Sequence, residues 1–347
     1  MSAPSPNANP AASTPARLIV LGAGAIGSLF GAQLSNRLQV VLVGRAAHVD
    51  AIRAKGLQVV TTTADERTSV RTVQNANLRA ATMLPAFETG DAIAVFCKSN
   101  DTAAAAEQIA AAVKTIPRGL MAKRAPVVPS VWTFQNGVDN PVVLQAVFER
   151  ELPPEMRPTV HIGIATAGAT LEAPGRVAVY GGHYVLPEDA AGRGLGGVLA
   201  AAGVEVRYST DISVELWRKL ALNCVVNPLT LILQRRNRFI LTPELAELRA
   251  AVIREVATVG RAEGVSLDPT DLTQHMETAM AVSMNYSSMY QDRLRHQERK
   301  AAWETTGKVG KVPQLRTEID ALNGVVVRLA KKHAITVPAT ETLEALV

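Results

Sequence analysis

Three polar residues at helical spacing, Lys219, Asn223 and Asn227, could perform chemistry together. If residues 215–233 form a helix, the three lie along one face, because residues four apart are neighbours on a helix surface. Asparagine is a poor helix former, so a helix with two asparagines and a lysine in one row is unusual. One interpretation is a polar face towards solvent. The other is a row of donors for a small polar substrate, with Lys219 as the proton donor.

The rest of this segment has the composition of a core helix. Apolar residues fall largely outside the polar face: Leu216, Trp217, Leu220, Val225 and Val226. Pro228 removes one backbone N–H and is predicted to bend the helix beside Asn227.

A glycine-rich loop near the start of the chain predicts a nucleotide-binding unit. Residues 17–21 are an apolar run typical of a buried strand, and residues 28–34 read as a helix. The loop between them is Gly22, Ala23, Gly24, Ala25, Ile26 and Gly27. Placed between a strand and a helix, this pattern indicates a dinucleotide-binding βαβ unit far better than the glycines alone. Gly22 permits the tight turn, and Gly24 lets the backbone approach a pyrophosphate. Gly27 allows the helix and the strand to pack closely.

Arg45 points to the identity of the dinucleotide. A second strand is predicted at residues 39–43, and in NAD-binding units an acidic residue at this strand end holds the ribose 2′-hydroxyl. Here the strand is followed by Gly44 and Arg45. A cation suits the 2′-phosphate of NADP, whereas the alternative is a solvated surface arginine. We therefore predict NADPH as the cofactor.

Two further strand ends carry polar residues. Strands predicted at residues 91–97 and 126–134 are followed by Lys98 and by Asn136. Ligands of open α/β sheets bind at the carboxyl ends of the strands, which makes both residues binding candidates. The alternatives are a surface lysine and a simple turn at residues 136–137.

The chain of 347 residues is predicted to form two domains after a disordered tail at residues 1–16. Residues 17–209 are predicted to be an α/β Rossmann-type domain, and residues 210–347 an all-helical domain. Further expected elements of the first are a helix at 102–114, an edge hairpin at 57–70 and strands at 159–165, 177–180 and 203–208 that complete the sheet. Expected helices of the second are 212–233, 243–264, 269–282, 311–334 and a short one after Pro338.

Ser288 and Glu318 flank a highly charged stretch, residues 293–316, which we predict to be an irregular surface insertion. On local sequence alone, Ser287 and Ser288 are also compatible with a helix N-cap pair, and Glu318 with a charged helix face.

Composition excludes several classes of protein. The net charge is +5, but the basic residues are scattered and are not interleaved with aromatics as nucleic-acid binding requires. No apolar run is long enough to span a membrane. Cys97 and Cys224 lack metal-binding or disulfide spacing, and the N-terminus does not resemble a secretory signal. We therefore expect a cytoplasmic enzyme without a metal, with no nucleic-acid or membrane partner.

Taken together, these motifs resemble the ketopantoate reductase (2-dehydropantoate 2-reductase) family from residue 17 to residue 347. The segments that carry the resemblance are residues 22–27, 97–98, 135–137, 216–230, 287–292 and 317–324. The segment 216–230 is the most specific of them. The main departure is the charged stretch, which separates Ser288 from Glu318 by more than the family usually shows.

The resemblance implies NADPH-dependent reduction of ketopantoate to (R)-pantoate, a step towards pantothenate and coenzyme A. Lys219 is implied as the proton donor to the carbonyl oxygen. The implied substrate-binding residues are Asn136, Asn223, Asn227 and Ser288. The implied cofactor-binding residues are Gly22, Ala23, Gly24, Ala25, Ile26, Gly27, Arg45, Lys98, Asn136 and Glu318. A homodimer is compatible with this interpretation.

Two other functions are also compatible with the sequence. A paralogous NADPH-dependent reductase would act on another branched 2-keto acid, and a non-catalytic NADP-binding sensor would share the first domain. A sensor has no need of a proton donor, so Lys219 with its asparagines argues against it.

Overall fold

The computed structural model describes residues 14–62, 67–116, 128–305 and 314–347. The predicted tail lies outside the described residues as far as residue 13, and the Ala16 N–H donates to the Gly90 carbonyl at 2.9 Å. The chain forms two compact units. The first comprises the chain up to Gln135 together with Asn140–Ile212, and the second comprises Asn136–Asp139 and Ser213–Val347.

The described part of the first unit contains three sheets and five α-helices. Its strands are β1 (Arg17–Leu21), β2 (Gln39–Val43), β3 (Leu57–Thr62), β4 (Thr68–Val73), β5 (Leu78–Ala81), β6 (Asp91–Val95), β7 (Ser130–Thr133), β8 (Val160–Ile162), β9 (Ile164–Ala165), β10 (Ala169–Ala173), β11 (Arg176–Val179), β12 (Tyr184–Pro187) and β13 (Val206–Ser209). Its helices are α1 (Ala25–Leu34), α2 (Ala46–Lys55), α3 (Thr102–Lys114), α4 (Asn140–Glu151) and α5 (Ala190–Ala201).

The main sheet is parallel, with strand order β5-β2-β1-β6-β7-β8. It is covered on both faces, as parallel sheets require. Successive side chains of β1 point to opposite faces: Leu18 and Val20 pack into one apolar cluster, and Ile19 and Leu21 into another. Helices α1, α2 and α5 contribute to the first cluster, and α3 and α4 to the second. The predicted Rossmann-type fold is confirmed.

The prediction that the later strands complete this sheet is wrong for most of them. Strands β10-β11-β3-β4 form a second sheet, which contains the predicted hairpin, and β13-β12-β9 form a third. The run predicted at 159–165 is divided at Gly163, so that only β8 joins the main sheet. Short apolar runs mark strands, but their partners depend on contacts far away in the sequence. Residues 126 and 127 of the predicted strand 126–134 lie outside the described residues.

The described part of the second unit is helical. Its helices are α6 (Ile212–Leu233), α7 (Ala246–Ala262), α8 (Pro269–Ala281), α9 (Ser288–Thr305), α10 (Asn323–Lys332) and α11 (Pro338–Ala345). They pack around one apolar core. Helix α6 has the predicted bounds. Trp217 of α6 packs closely against Gly260 of α7, because a Cβ built at Gly260 would lie 3.0 Å from the Trp217 ring. None of the described helices is long and apolar enough to cross a membrane.

Two predictions for this unit are corrected. The charged stretch is helical rather than irregular over residues 293–305, because α9 continues to Thr305. Residues 306–313 lie outside the described residues, and residues 314–316 are irregular as predicted. Helix α9 is deeply buried only in its first turn, at Met289 and Tyr290. The rest of α9 is rich in charged residues, which obscures the apolar periodicity that would predict a helix. The helix predicted at 311–334 begins later, with a 3-10 turn at Ile319–Ala321 before α10.

Candidate active site

The glycine loop is held against two neighbouring strand ends of the first unit. The N–H groups of Gly22 and Ala23 both donate to the Val43 carbonyl at the end of β2, at 3.0 and 2.9 Å. Gly22 has φ +104°, and a Cβ there would overlap the backbone of Cys97, which follows β6. A larger residue at position 22 would therefore push the two strand ends apart.

The geometry of this loop fits a dinucleotide pyrophosphate. Helix α1 begins after Gly24 with no side chain capping its N-terminus. Its first N–H groups have no carbonyl partner within the helix, which makes this end a site for an anion. Nothing lies within 4 Å of a Cβ built at Gly24, so the loop has room on its outer side. At Gly27 a Cβ would meet Val20 at 3.1 Å, which shows how closely helix and strand pack.

Arg45 and Lys98 lie at the same rim of the sheet. Arg45 is exposed and directly precedes α2, and Gly44 before it donates to the Ala81 carbonyl at 3.0 Å. Lys98 is exposed and precedes the 3-10 turn Ser99–Asp101. Because β2 and β6 flank β1 in the sheet, the ends of all three strands present their loops together. The charged residue at the end of β2 is Arg45, a cation, where NAD-binding units have a carboxylate. A cation suits the negatively charged 2′-phosphate of NADP.

Gln135 supports the Lys98 loop, a role that the sequence analysis did not assign. Its side chain is 6% exposed. Its Nε2 donates to the Cys97 carbonyl at 3.1 Å and to the Thr102 hydroxyl at 2.7 Å, while its Oε1 accepts from the Thr133 hydroxyl at 3.0 Å. The carbonyl it holds directly precedes Lys98. The only signal in the sequence was an amide next to Asn136 at a predicted strand end.

In the second unit, α6 carries Lys219, Asn223 and Asn227 as predicted. Lys219 and Asn223 are half-buried, and Asn227 is 4% exposed. The interpretation of a solvent-facing polar stripe is therefore wrong for Asn227, while Lys219 and Asn223 keep partial exposure. Burying an amine and two carboxamides costs free energy unless they are hydrogen-bonded, which favours a functional explanation.

Burial lowers the pKa of Lys219 to about 8, and the negative charge of Glu318 opposes this shift. Glu318 is 5% exposed and stands directly before the turn Ile319–Ala321. An amine whose pKa lies near neutrality can hold a proton and release it to a reacting group at physiological pH. In chemical terms, these two residues can serve as a general acid and a carboxylate that favours its charged form.

The segment Asn136–Asp139 packs on this same turn. Gly137 has φ +89°, and a Cβ there would lie 2.5 Å from the Ala321 carbonyl oxygen. Asp139 forms an ion pair with Arg328 of α10 at 2.9 Å. Asn136 therefore belongs to the unit that contains Lys219 and Glu318, although it follows a strand of the first unit.

Ser288 is the first residue of α9. The N-cap interpretation holds for its neighbour: the Ser287 hydroxyl accepts from the Tyr290 N–H at 3.2 Å. Ser287 is also tied to α6, because it accepts from the Thr230 hydroxyl at 2.6 Å. This bond fixes the start of α9 next to the second half of α6.

The predicted residues thus fall into two sets. The first unit holds the nucleotide set: Gly22, Ala23, Gly24, Ala25, Ile26, Gly27, Arg45 and Lys98. The second unit holds the acid and carboxamide set: Asn136, Lys219, Asn223, Asn227, Ser288 and Glu318. Among the described residues, no group of three or more His, Cys, Asp or Glu side chains could hold a metal ion.

Comparison with known proteins places both units in one family. Residues 18–187 match the sequence model described as "Ketopantoate reductase PanE/ApbA", and residues 211–302 and 313–347 match its C-terminal counterpart. The C-terminal match leaves out residues 303–312, which fall inside the charged stretch.

Whole-length relatives agree with this match. The chain is 28% identical to 2-dehydropantoate 2-reductase of Pyrococcus abyssi, over 95% of this chain and 96% of that protein. Its identity to the enzyme of that name from Halobacterium salinarum is also 28%, over 95% and 97%.

Two solved structures are similar over both units. One is a PanE/ApbA family ketopantoate reductase from Ralstonia eutropha JMP134, with 28% identity, a TM-score of 0.74 and coverage of 95% of this chain and 96% of that one. The other is D-mandelate dehydrogenase with NADH and anilino(oxo)acetate, with 25% identity, a TM-score of 0.75 and the same coverage. The protein is an oxidoreductase that acts on CH–OH groups, and it belongs to the ketopantoate reductase family.

Proposed function

We propose that this protein reduces ketopantoate to (R)-pantoate with NADPH, a step towards pantothenate and coenzyme A. The observation that carries the proposal is Lys219, a half-buried amine with a pKa of about 8, on a helix that also presents Asn223 and Asn227. The same unit contains the carboxylate that keeps the amine charged, Glu318. Family membership supplies the substrate class.

The nucleotide set would hold the cofactor. The N-terminus of α1 receives the pyrophosphate, Arg45 pairs with the 2′-phosphate, and Lys98 adds a second cation at the same rim. When bound, NADPH supplies the hydride that reduces the keto carbon. Arg45 is the residue that favours NADPH over NADH, the cofactor named for the similar D-mandelate dehydrogenase structure.

Lys219 supplies the proton. As hydride adds to the keto carbon, the electron pair of the C=O bond moves to oxygen, and the ammonium group stabilises this charge. The proton then passes from Nζ to that oxygen, which gives the hydroxyl of the product and a neutral amine. Glu318 keeps the pKa of Lys219 from falling further, so that the amine is mostly protonated near neutral pH.

The carboxamides hold the substrate. Asn223, Asn227 and Asn136 offer N–H donors to the carboxylate and oxygen acceptors to the hydroxyl of ketopantoate, and Ser288 adds a hydroxyl. Asn227 directly precedes Pro228 in α6, and Ser288 is fixed by its neighbour's bond to the same helix. The set is suited to a small ligand that carries both a carboxylate and a hydroxyl.

A second candidate substrate is another branched 2-keto acid. It is favoured by the similarity to D-mandelate dehydrogenase and by the charged stretch between Ser288 and Glu318, of which the family match omits residues 303–312. The catalytic step would be the same, and the difference would lie in the side chain of the acid.

A substrate panel separates the two candidates. Purified protein is assayed for NADPH oxidation with ketopantoate, 2-ketoisovalerate and phenylglyoxylate, and the pantoate formed is resolved by chiral chromatography. We expect the highest kcat/KM with ketopantoate and the (R) product. A higher kcat/KM for another acid would transfer the proposal to that acid, and no turnover of any 2-keto acid would favour the NADP-binding sensor.

A further inference from the structure

Helix α6 contains a break in its hydrogen bonding one residue after Asn227. Pro228 lies inside the helix and has no N–H to donate to the residue four positions earlier, Cys224. The Cys224 carbonyl lies in the apolar core of the second unit, among fully buried residues. An acceptor left without a donor in such surroundings costs free energy, so the source of its donor matters.

Asn323 supplies that donor from another segment. Its Nδ2 donates to the Cys224 carbonyl at 3.1 Å, and its side chain is 0% exposed. Its Oδ1 is buried and has no hydrogen-bond partner among the described residues. A buried asparagine that satisfies only one of its two polar groups is a cost to stability. The bond to α6 is therefore the evident gain from an amide at this position.

The segment that carries Asn323 also carries Glu318. The two are joined by the turn Ile319–Ala321, in which the Glu318 carbonyl accepts from the Ala321 and Leu322 N–H groups at 3.0 and 3.1 Å. The bond of Asn323 to Cys224 therefore anchors this turn to α6 next to Asn223. The bond thus links the segment that carries the carboxylate to the helix that carries the amine of Lys219.

We propose that Asn323 is a positioning residue: by replacing the helix bond lost at Pro228, it holds Glu318 against α6 and so maintains the charged form of Lys219. This inference rests on the proposed function for its effect on turnover, but not for its effect on the amine. Glu318 is the carboxylate whose charge acts on Lys219, while Glu215 and Arg218 lie on the same helix as Lys219. Arg218 is paired both with Glu215 and with Asp271 of α8, so two carboxylates offset its positive charge.

The test combines Asn323→Leu with Pro228→Ala. Asn323→Leu removes the donor, and Pro228→Ala returns a backbone N–H that can reach the Cys224 carbonyl. We expect Asn323→Leu to lower the pKa of Lys219 by about half a pH unit, because Glu318 is less well held. We also expect about a tenfold fall in kcat for ketopantoate. The double variant should recover stability, because the Cys224 carbonyl again has a donor. It should keep the lowered pKa and kcat, because the turn is still not linked to α6.

Two readouts are needed. The pH profile of kcat reports on turnover, and competitive acetylation with mass spectrometry reports the pKa of Lys219 without any substrate. A wild-type protein that does not reduce ketopantoate would contradict the proposed function, while acetylation would still test Asn323. Asn237→Leu is the matched control. Asn237 is 6% exposed and donates to Ser283, which is not part of α6, at 3.0 Å, and its Oδ1 is likewise buried without a partner among the described residues.

The outcomes separate cleanly. A lowered pKa of Lys219 in Asn323→Leu that persists in the double variant, with a normal pKa in Asn237→Leu, supports the proposal. If the single variant fails to fold, a lowered pKa in the folded double variant supports it in the same way. The proposal is overturned if Asn323→Leu leaves the pKa and kcat unchanged, or if the double variant returns both to wild-type values, because the effect is then one of stability alone. It is equally overturned if the single and double variants both fail to fold while Pro228→Ala alone folds.

Discussion

Lys219 shows how one residue acquires an acid's pKa from its surroundings. Burial favours the neutral amine, and Glu318 favours the charged one. The result is a pKa of about 8 against the ordinary value of 10.5. Glu318 is remote from Lys219 in the chain, so the local sequence predicted the row of donors, whereas the size of the pKa shift required the fold.

We predict an alkaline limb in the rate of reduction. The protonated amine is needed, so kcat should be constant below the pKa of Lys219 and fall above about pH 8. The reverse oxidation needs the neutral amine and should rise through the same pH. Initial rates in both directions across the pH range check this. A reduction rate that stays level to pH 10 would exclude Lys219 as the donor.

The same shift has a consequence for stability. The folded-state pKa lies below the unfolded one, so between about pH 8 and 10.5 the unfolded chain binds more protons at this residue. The free energy of unfolding should therefore rise with pH in that window. Lys219→Met should remove this contribution, which urea denaturation of both proteins at several pH values would show.

Arg45→Ala should change the choice of cofactor. Loss of a charged hydrogen bond to the 2′-phosphate should weaken NADPH binding by about tenfold or more and leave NADH binding unchanged. Titration of both cofactors by fluorescence measures this. Arg53→Ala, an exposed arginine in the last turn of the same helix, is the control. Equal losses for NADPH and NADH would remove the 2′-phosphate from the role of Arg45.

At the scale of elements, the sequence predicted what has a strong local signal. β1, β2, α3 and α6 have the predicted bounds, because apolar periodicity and punctuating residues mark them. The charged composition of α9 concealed a helix, and β10 and β12 were not predicted. The roles of Gln135 and Asn323 were also missed, since a buried amide is recognised by its partners, which come from distant segments.

Gln135→Glu should loosen the loop that carries Lys98. A carboxylate cannot donate to the Cys97 carbonyl or to the Thr102 hydroxyl. We expect about a tenfold rise in the KM for NADPH with little change in kcat. Steady-state kinetics measure the two separately. Gln33→Glu is the control, since the Gln33 side-chain oxygen accepts from the Tyr184 hydroxyl and a carboxylate can accept the same bond. A fall in kcat with an unchanged KM would contradict the supporting role.

Glu255 of α7 should stabilise the last helix. Its carboxylate accepts from the Ala339 N–H, the Thr340 N–H and the Thr340 hydroxyl at 2.9, 2.8 and 2.7 Å. These bonds satisfy N–H groups at the start of α11, so Glu255→Ala should cost about 1–3 kcal/mol of unfolding free energy. Urea denaturation checks this, with exposed Glu247→Ala as the control. Equal stability of the two variants would contradict the capping role.

At the scale of the whole molecule, the two compact units do not follow one cut in the chain. The predicted division lay at residues 209 and 210, whereas Asn136–Asp139 belongs to the second unit. This assignment depends on the contact of Gly137 with Ala321 and on the ion pair of Asp139 with Arg328. Sequence order alone does not reveal such contacts. They make Asn136 part of the acid and carboxamide set.

The proposed activity of the whole molecule is the reduction of a 2-keto acid with Lys219 as the proton donor. The most direct test is the initial rate of NADPH oxidation with ketopantoate, for the wild type and for Lys219→Ala side by side. We predict turnover by the wild type, a loss of about a thousandfold in the variant and unchanged NADPH binding by it. Lys55→Ala, an exposed lysine, should behave as the wild type. Near-normal turnover by Lys219→Ala, or none by the wild type, would contradict the account.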